Sequence, residues 1–551
     1  MALVTPTSVS EVVRPTTQFP PSVWGHYFVN HLQDEAKLDQ WTKRAGVLRR
    51  KVKEILKHAQ GNPEEIYFLD AFNRLGLSYQ FEKEINDALH RIHTTYSNDV
   101  DAGDLYSEAT RFRVLREGGY KASTDVFEKF KDEQGKTFKK SLTEDVKGLL
   151  SLYEAAFLGI QGEYILDEAI AFTSEHLKSS LPNLDPLLAK QVQRALELPT
   201  HKRLPRVNVR YFISLYEEID DKTSEDMRTL LEYAKLDFNL FQAVHERDKR
   251  MWWKENGLAE KLSYARNRVV ECYVWNMSVA PEPHLSRARV FAAKTLSMIS
   301  LTDDTYDAYG VYEELKQYTE AIERWDLAAM DELPEYLKPL YHELITLFKE
   351  TEEELEREGY SYQIGYSKQA LQDLCRAYFT EQEWYHNRYT PGTEEYIRVS
   401  LISSGYPAAF LLNMVCMKDA SIEAFKWGNS RPRIVMASAE LARFMDDLVS
   451  NEFEQQRGHV VSSIECFMKE KGMTRQEVED LFKHFYDTAW KDINQACLRP
   501  TPFPMYILSK AVNLARVIDG WYICNDEDRY TFSGGSTKEM ITALLVDPIP
   551  V

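Results

Sequence analysis

Glycine and proline are scarce, with 23 and 21 copies in 551 residues, together about 8% where roughly 12% is usual. With 44% hydrophobic residues, this excludes a collagen-like, low-complexity or disordered chain. Cysteine is sparse too. Cys272, Cys375, Cys416, Cys466, Cys497 and Cys524 are scattered, with no CxxC pair and no Cys/His cluster. That argues against a zinc site and for reduced thiols in a reducing compartment. Alternating β-branched runs with Asn-Gly or Asp-Gly turns are missing, so a sheet is not expected. No fixed-period repeat marks a solenoid. Long apolar runs are lacking as well. The longest uncharged stretch, Val399–Met417, holds Ser400, Ser403, Ser404, Gly405, Pro407 and Asn413, too polar for a bilayer span and better read as a buried helix. The N-terminus shows neither an apolar signal segment nor a Ser/Arg-rich leader. Without secretion, the sequon Asn276-Met277-Ser278 has no role. Basic residues are outnumbered, 67 against 86 acidic ones, for a net charge of −19. A surface of that sign disfavours nucleic acid or an anionic membrane as partner. An anionic substrate would need that charge overcome locally.

What is present is helical periodicity. The length suggests two or three domains. Beyond about residue 33, segments such as Glu64–Leu77 and Glu144–Leu158 repeat apolar residues at helical spacing; in the second, Val146, Leu149, Leu150 and Tyr153 form that face. Gly61-Asn62-Pro63, Leu181-Pro182-Asn183, Pro281-Glu282-Pro283 and Pro391-Gly392 punctuate the pattern. The chain is read as all-α. Residues 1–32 are Pro-rich and irregular, an extended arm. Segment 199–226 holds Pro199, Pro205 and the charged Glu217–Asp221; it is the expected boundary between two helical halves, 33–225 and 226–551.

Two acidic motifs carry the chemistry. In Asp303-Asp304-Thr305-Tyr306-Asp307, Asp303 and Asp307 stand four apart, so on a helix both carboxylates share a face. Two carboxylates so placed repel unless a cation sits between them, and hard oxygen ligands suit Mg²⁺. Alone, the motif reads equally well as a solvated acidic face. Asp446, Ser450 and Glu454 then repeat the pattern at i, i+4 and i+8, on one face of a second helix. Two such oxygen sites facing each other across a helical bundle would hold a cluster of metals. A diphosphate bound through metals also wants guanidinium groups. Arg266 and Arg268 supply two, just before an apolar aromatic helix, and Arg443 stands three residues before Asp446.

With these motifs the chain resembles the plant class I terpene synthases, sesquiterpene branch, over nearly its full length. Asp303–Asp307 is similar to that family's aspartate-rich motif, Asp446/Ser450/Glu454 to its second metal motif, and Arg266/Arg268 to its arginine motif. Arg14-Pro15 followed by Trp24 resembles its N-terminal arginine–tryptophan motif. Leu75–Glu82, Asp104-Leu105-Tyr106 with Arg111-Phe112-Arg113, and Leu152–Ala155 resemble its N-terminal α-helical domain. One departure is Asn267, where the family commonly has Asp. The N-terminal half also lacks the DxDD motif of class II cyclases; Glu218-Ile219-Asp220-Asp221 has the wrong first residue. The resemblance therefore implies a C-terminal class I catalytic bundle, an N-terminal α-barrel-like domain without catalytic motif, and an arm capping the active site.

It further implies a reaction started by ionisation. Mg²⁺, three ions with Mn²⁺ as a substitute, would neutralise the departing diphosphate held by Arg266, Arg268 and Arg443. Asp304 and Glu381 would support the metals. The carbocation left behind needs aromatic faces rather than nucleophiles, for which Trp275, Tyr522 and Tyr530 are candidates. Pro407 has no N–H, so the Ser403 carbonyl loses its helical donor, and Gly405 loosens the same turn. A break with free carbonyls is expected there, with Ser403, Ser404, Gly405 and Tyr406 lining the pocket. Residues Asn525–Lys538 read as a polar, Gly-hinged lid, in which Asp528 and Tyr530, with Tyr522, could relay a proton. The expected substrate is farnesyl diphosphate, and the expected enzyme is a cytosolic monomer with no nucleic-acid partner and no membrane span. The alternatives are a monoterpene synthase acting on geranyl diphosphate and a non-enzymatic helical scaffold. A chain-elongating prenyltransferase would need a second DDxxD where Ser450 and Glu454 stand.

Overall fold

Helix ends fall where local chemistry puts them. Asp104 caps its helix by accepting from the Ser107 N–H at 2.9 Å. Ser462 with Glu465, and Thr474 with Glu477, form reciprocal capping boxes, each satisfying two otherwise unpaired N–H groups. Pro205 takes the first position of its helix, where its missing N–H is harmless.

The computed structural model describes residue 14 and residues 19–24, 35–62, 64–96, 103–219, 224–253, 258–456, 461–523 and 529–551. As expected, the fold is all-α. The helices are α1 (Glu35–Ala59), α2 (Glu65–Arg74), α3 (Glu82–Tyr96), α4 (Leu105–Glu117), α5 (Val146–Ala156), α6 (Tyr164–Ser180), α7 (Pro186–Glu197) and α8 (Pro205–Glu218). They continue with α9 (Glu225–Trp253), α10 (Leu258–Lys261), α11 (Val269–Val279), α12 (Ser286–Ala308), α13 (Tyr312–Arg324), α14 (Lys338–Glu358), α15 (Tyr362–His386) and α16 (Thr393–Ser403). The last are α17 (Tyr406–Leu412), α18 (Ile422–Asn429), α19 (Arg433–Gln456), α20 (Ser463–Lys471), α21 (Arg475–Ala496), α22 (Met505–Ile518) and α23 (Gly535–Leu545). Among the described residues there is no β-strand, only an isolated bridge between Lys131 and Phe138. No described helix is long and apolar enough to cross a membrane.

The division expected between residues 225 and 226 meets the first residue of α9. That helix packs on α1, α8, α12 and α23, so it serves both halves. Polar contacts tie the halves further: the Tyr79 hydroxyl donates to Asp237 at 2.6 Å, and Asn494 donates to the Phe157 and Gly159 carbonyls, both at 2.9 Å. One continuous apolar core runs from Trp24 to Ile549.

In the C-terminal half, α11, α12, α15, α17, α19 and α22 surround a cavity. The central helix, α12, is buried on nearly every side. Arg289, fully buried, fixes its start. It donates to Asp248 on α9 at 2.7 and 3.1 Å and to the Ala280 and Glu282 carbonyls at 2.7 and 3.0 Å. A buried guanidinium needs such complete partnering, and here it registers α12 against α9 and the end of α11.

Candidate active site

The cavity, of about 200 Å³, opens between the last turn of α12 and the middle of α19. Asp303, Asp304 and Asp307 stand on one side, Asp446 and Ser450 on the other, and all five line it. The i, i+4 faces read in the sequence thus confront each other across one space. The Ser450 hydroxyl oxygen is buried and has no hydrogen-bond partner among the described residues. Glu454 lies on α19, but its side chain is outside the described residues, and so is Asp528.

Each wall carries an arginine. The Arg266 guanidinium lies 2.9 Å from Asp303 and 2.8 Å from Asp304, and its backbone N–H donates to Asp304 at 2.7 Å. Against the cost of burial, the charges of Asp304 and Asp303 hold Arg266 well above its ordinary pKa. Burial, with Asp307 adding to it, pushes the Asp303 carboxyl above the usual carboxylate range, and Arg266 opposes that. On the far wall Arg443 donates to Asp447 at 2.9 Å and lies 3.9 Å from Asp446. Asp447 is fully buried and also accepts from the Tyr396 hydroxyl at 3.3 Å and the Ser463 N–H at 2.9 Å. Sequence reasoning gave Asp447 no role. The available signal was the doubled aspartate common to both motifs.

Arg268 is placed differently from Arg266. It is buried outside the cavity lining and donates to the Thr531 carbonyl at 2.6 Å and the Pro20 carbonyl at 3.1 Å. It therefore holds the N-terminal segment and the segment after residue 528 together. Phe19 and Thr531 line the cavity, the Phe19 ring facing the Arg266 guanidinium at 5.1 Å. Both members of the arginine–tryptophan pair are pinned. Arg14 makes a two-pronged contact with Glu314 at 2.6 and 2.7 Å, and the Trp24 indole donates to Glu271 at 2.8 Å. Neither Phe19 nor Thr531 was singled out in the sequence, since irregular segments offer no periodicity.

The inner wall is aromatic. Trp275 lies 5.6 Å from Tyr530, 6.3 Å from Tyr406 and 6.1 Å from Trp521, centroid to centroid. Trp521 is fully buried and was also missed. Tyr522 lines the cavity from the widened, π-type turn Asp519–Ile523 that follows α22. The Tyr530 hydroxyl donates to Ser300 at 2.8 Å, and burial, reinforced by Cys272, raises its pKa well above the ordinary value.

At the helix break, α16 ends at Ser403 and α17 starts at Tyr406, with Gly405 at φ 75°, a conformation that favours glycine. Among the described residues no donor reaches the carbonyls of Ser403 or Ser404; for Ser403 this follows from the missing N–H of Pro407. Ser403, Ser404, Gly405 and Tyr406 all line the cavity, and so does Glu381, which accepts from the Ser403 hydroxyl at 2.6 Å. Among the described residues, no three acids, imidazoles or thiols converge on one point. Each wall presents oxygen atoms to a shared space and does not close a cage by itself.

Comparison with known proteins gives a consistent result. Residues 254–492 match the terpene synthase family, metal binding domain, and residues 23–196 match the terpene synthase N-terminal domain. The chain is 46% identical to terpene synthase 2 of Piper nigrum over 547 residues, covering 98% of this chain and 96% of that protein. It is 45% identical to sesquiterpene synthase TPS2 of Cananga odorata over 542 residues, 98% and 95% of the two chains. Isoprene synthase from grey poplar (Populus x canescens), solved with three Mg²⁺ ions and dimethylallyl-S-thiolodiphosphate, superposes with a TM-score of 0.84. The identity is 32%, covering 93% of this chain and 98% of that one.

Proposed function

The chain belongs to the terpene synthase family, and we propose that it is a Mg²⁺-dependent sesquiterpene synthase that ionises and cyclises farnesyl diphosphate. It is a diphosphate-releasing lyase that binds a divalent metal. The observation that carries the fuller reading is the pair of acidic walls, Asp303/Asp307 and Asp446/Ser450, facing each other at the mouth of one aromatic cavity.

The donor set fits Mg²⁺. Every ligand offered is a hard oxygen, and the buried Ser450 hydroxyl has no other partner among the described residues. Asp303, Asp307, Asp446, Ser450 and Glu454 would hold the metals, with Asp304 and Glu381 in support. Mg²⁺ keeps waters and shares substrate phosphates, which suits oxygen atoms offered from two facing walls. Three Mg²⁺ ions, with Mn²⁺ as a substitute, would supply the positive charge that stabilises the departing diphosphate.

The protein's own groups do the rest. Arg266 and Arg443 reach the cavity and orient the diphosphate oxygens, while Arg268 acts through the segments it clasps. Phe19 and Thr531 exclude water from the mouth. Trp275, Tyr406, Tyr522 and Tyr530 offer ring faces to the carbocation, and the unpaired Ser403 and Ser404 carbonyls add oriented dipoles without a free nucleophile. Asp528 with Tyr522 and Tyr530 would relay a proton to a neutral cyclic intermediate. In this reading residues 1–32 cap the site, 33–225 form a domain without catalytic motif, and 226–551 form the catalytic bundle. The enzyme works as a cytosolic monomer without nucleic acid.

The deciding experiment incubates purified protein with farnesyl or geranyl diphosphate, with Mg²⁺ or with EDTA, and identifies the volatile products by mass spectrometry. A sesquiterpene formed only with Mg²⁺ is expected. Faster turnover of geranyl diphosphate would shift the assignment to a monoterpene synthase. Diphosphate release indifferent to EDTA would overturn the metal chemistry.

A further inference from the structure

A second cavity, of about 340 Å³, lies between the two halves of the chain. Its walls come from α2, α4 and α8 on one side. On the other they come from Pro281–Pro283, which follow the Trp275 helix, and from Ser509, Asn513 and Arg516 of α22. Five arginines line it, Arg74, Arg113, Arg203, Arg206 and Arg516, against two carboxylates, Glu117 and Glu282. In a chain of net charge −19 this is a local reversal of sign.

Both lining carboxylates are already engaged. Glu117 receives Arg113 at 3.3 Å and Asn73 at 3.2 Å, and Glu282 receives the fully buried Lys510 at 3.3 Å. Arg74 and Arg113 share Asp70, at 2.8 and 2.7 Å. Carboxylates stand farther from the others, 3.8 Å from Arg203 and 3.6 Å from Arg206. Arg203 donates to the Leu198 carbonyl at 2.7 Å, with Glu197 3.8 Å away. Arg516 donates to the His201 carbonyl at 2.8 Å and to the Asn513 side chain at 2.9 Å, both neutral acceptors. Arg206 is 6% exposed and lies 3.6 Å over the Phe241 ring. Its nearest carboxylate, Asp237, is 3.6 Å away and already accepts from Tyr79 and Gln80 on its other oxygen. Among the described residues, no hydrogen-bond acceptor meets the buried Arg206 Nε and Nη2 atoms. Burial lowers the pKa of both Arg206 and Arg516, against the opposing charges of Asp237 at Arg206 and of Glu117 and Asp519 at Arg516.

We propose that this cavity is an anion site, separate from the catalytic one, that takes a phosphate group between Arg206 and Arg516. Guanidinium groups bind phosphate oxygens through paired, charge-assisted hydrogen bonds, and Arg206 and Arg516 both line this one cavity. Inorganic phosphate and diphosphate both carry this chemistry. Because the walls include α22 and the segment after α11, occupancy would bear on the helices that position Tyr522 and Trp275.

The test is thermal melting of the full chain in EDTA, titrated with sodium phosphate or sodium diphosphate while chloride keeps the ionic strength constant. A saturable rise in Tm of several degrees is expected. It should persist in Arg443→Gln, whose guanidinium faces the catalytic cavity, and vanish in Arg206→Gln and Arg516→Gln. Should Arg206→Gln fail to fold, Arg516→Gln alone decides. The stronger of the two anions identifies the occupant. No rise beyond that of chloride, a rise that survives both substitutions, or one lost in Arg443→Gln overturns the proposal.

Discussion

The two acidic walls are built from the same device and wired to different parts of the molecule. Each has a doubled aspartate. The first residue is the more open, its side chain 29% exposed in Asp303 and 28% in Asp446; the second is sealed from solvent, at 1% in Asp304, which still borders the cavity, and 0% in Asp447. Each sealed aspartate holds an arginine. The difference lies in what that arginine and aspartate touch next. Arg266 reaches Asp303 as well, the Phe19 ring, and Thr531 at 3.3 Å, so the α12 wall is coupled to segments from both ends of the chain. Asp447 binds Tyr396 on α16 and Ser463 on α20, so the α19 wall is coupled to the helical core. One wall is tied to the two end segments of the chain, and the other to the helices of the bundle.

The comparison can be broken most severely at its cavity-facing members. Asp303→Ala and Asp307→Ala should each lower Mg²⁺-dependent diphosphate release by about 10³-fold, the scale expected for losing a stabiliser of transition-state charge. Steady-state kinetics with near-normal turnover would remove the metal assignment. Next come the sealed aspartates. Asp447→Asn leaves the Arg443 charge without its carboxylate and weakens contacts to two helices. A loss of about 2–3 kcal/mol is expected in urea unfolding, below the full cost of breaking a buried pair because Arg443 is partly exposed. Asp304→Asn should cost less, since Arg266 keeps Asp303. Equal losses would show that the walls are wired alike.

The arginines should separate as well. Arg266→Gln is expected to raise KM for the prenyl diphosphate by about 10-fold or more, the worth of one or two charge-assisted bonds. Arg268→Gln should instead act mainly on kcat and on the fraction of water-quenched alcohol product, because Arg268 joins the segments of Pro20 and Thr531 beside the cavity. Identical KM effects would place both at the diphosphate. The smallest change belongs to Tyr522→Phe, which removes one hydroxyl. Turnover should stay within about 2-fold, a small fraction of a decade in rate, while a monocyclic intermediate accumulates. An unaltered product profile would remove Tyr522 from the relay.

Much of this was legible in the sequence for reasons of spacing and covalent structure. That Asp303 and Asp307 share a face follows from helical geometry, and the break before Tyr406 follows from the hydrogen that Pro407 does not have. The all-α architecture followed from apolar periodicity and from the lack of strand signals. What stayed hidden depends on tertiary neighbours. Asp447 is one residue, and so 100° around the helix, from Asp446; its importance appears only when Tyr396 and Ser463 arrive from elsewhere. Arg268 looked equivalent to Arg266 because a loop spacing says nothing about which carbonyls will lie nearby. Trp521 was overshadowed by Tyr522, since no side-chain pattern announces a π-type turn. Glu454 and Asp528 fall outside the described side chains, so their expected roles rest on the second motif and on the lid.

The clasp made by Arg268 sets a condition on the life history of the molecule. It joins Pro20 to Thr531, and Lys538 adds a bond to the Val23 carbonyl at 3.1 Å across a separation of 515 residues. A nascent chain on the ribosome cannot bring these segments together until the last of them has emerged. The clasp is therefore among the last contacts the molecule can make, and a product terminated before Thr531 would be without it.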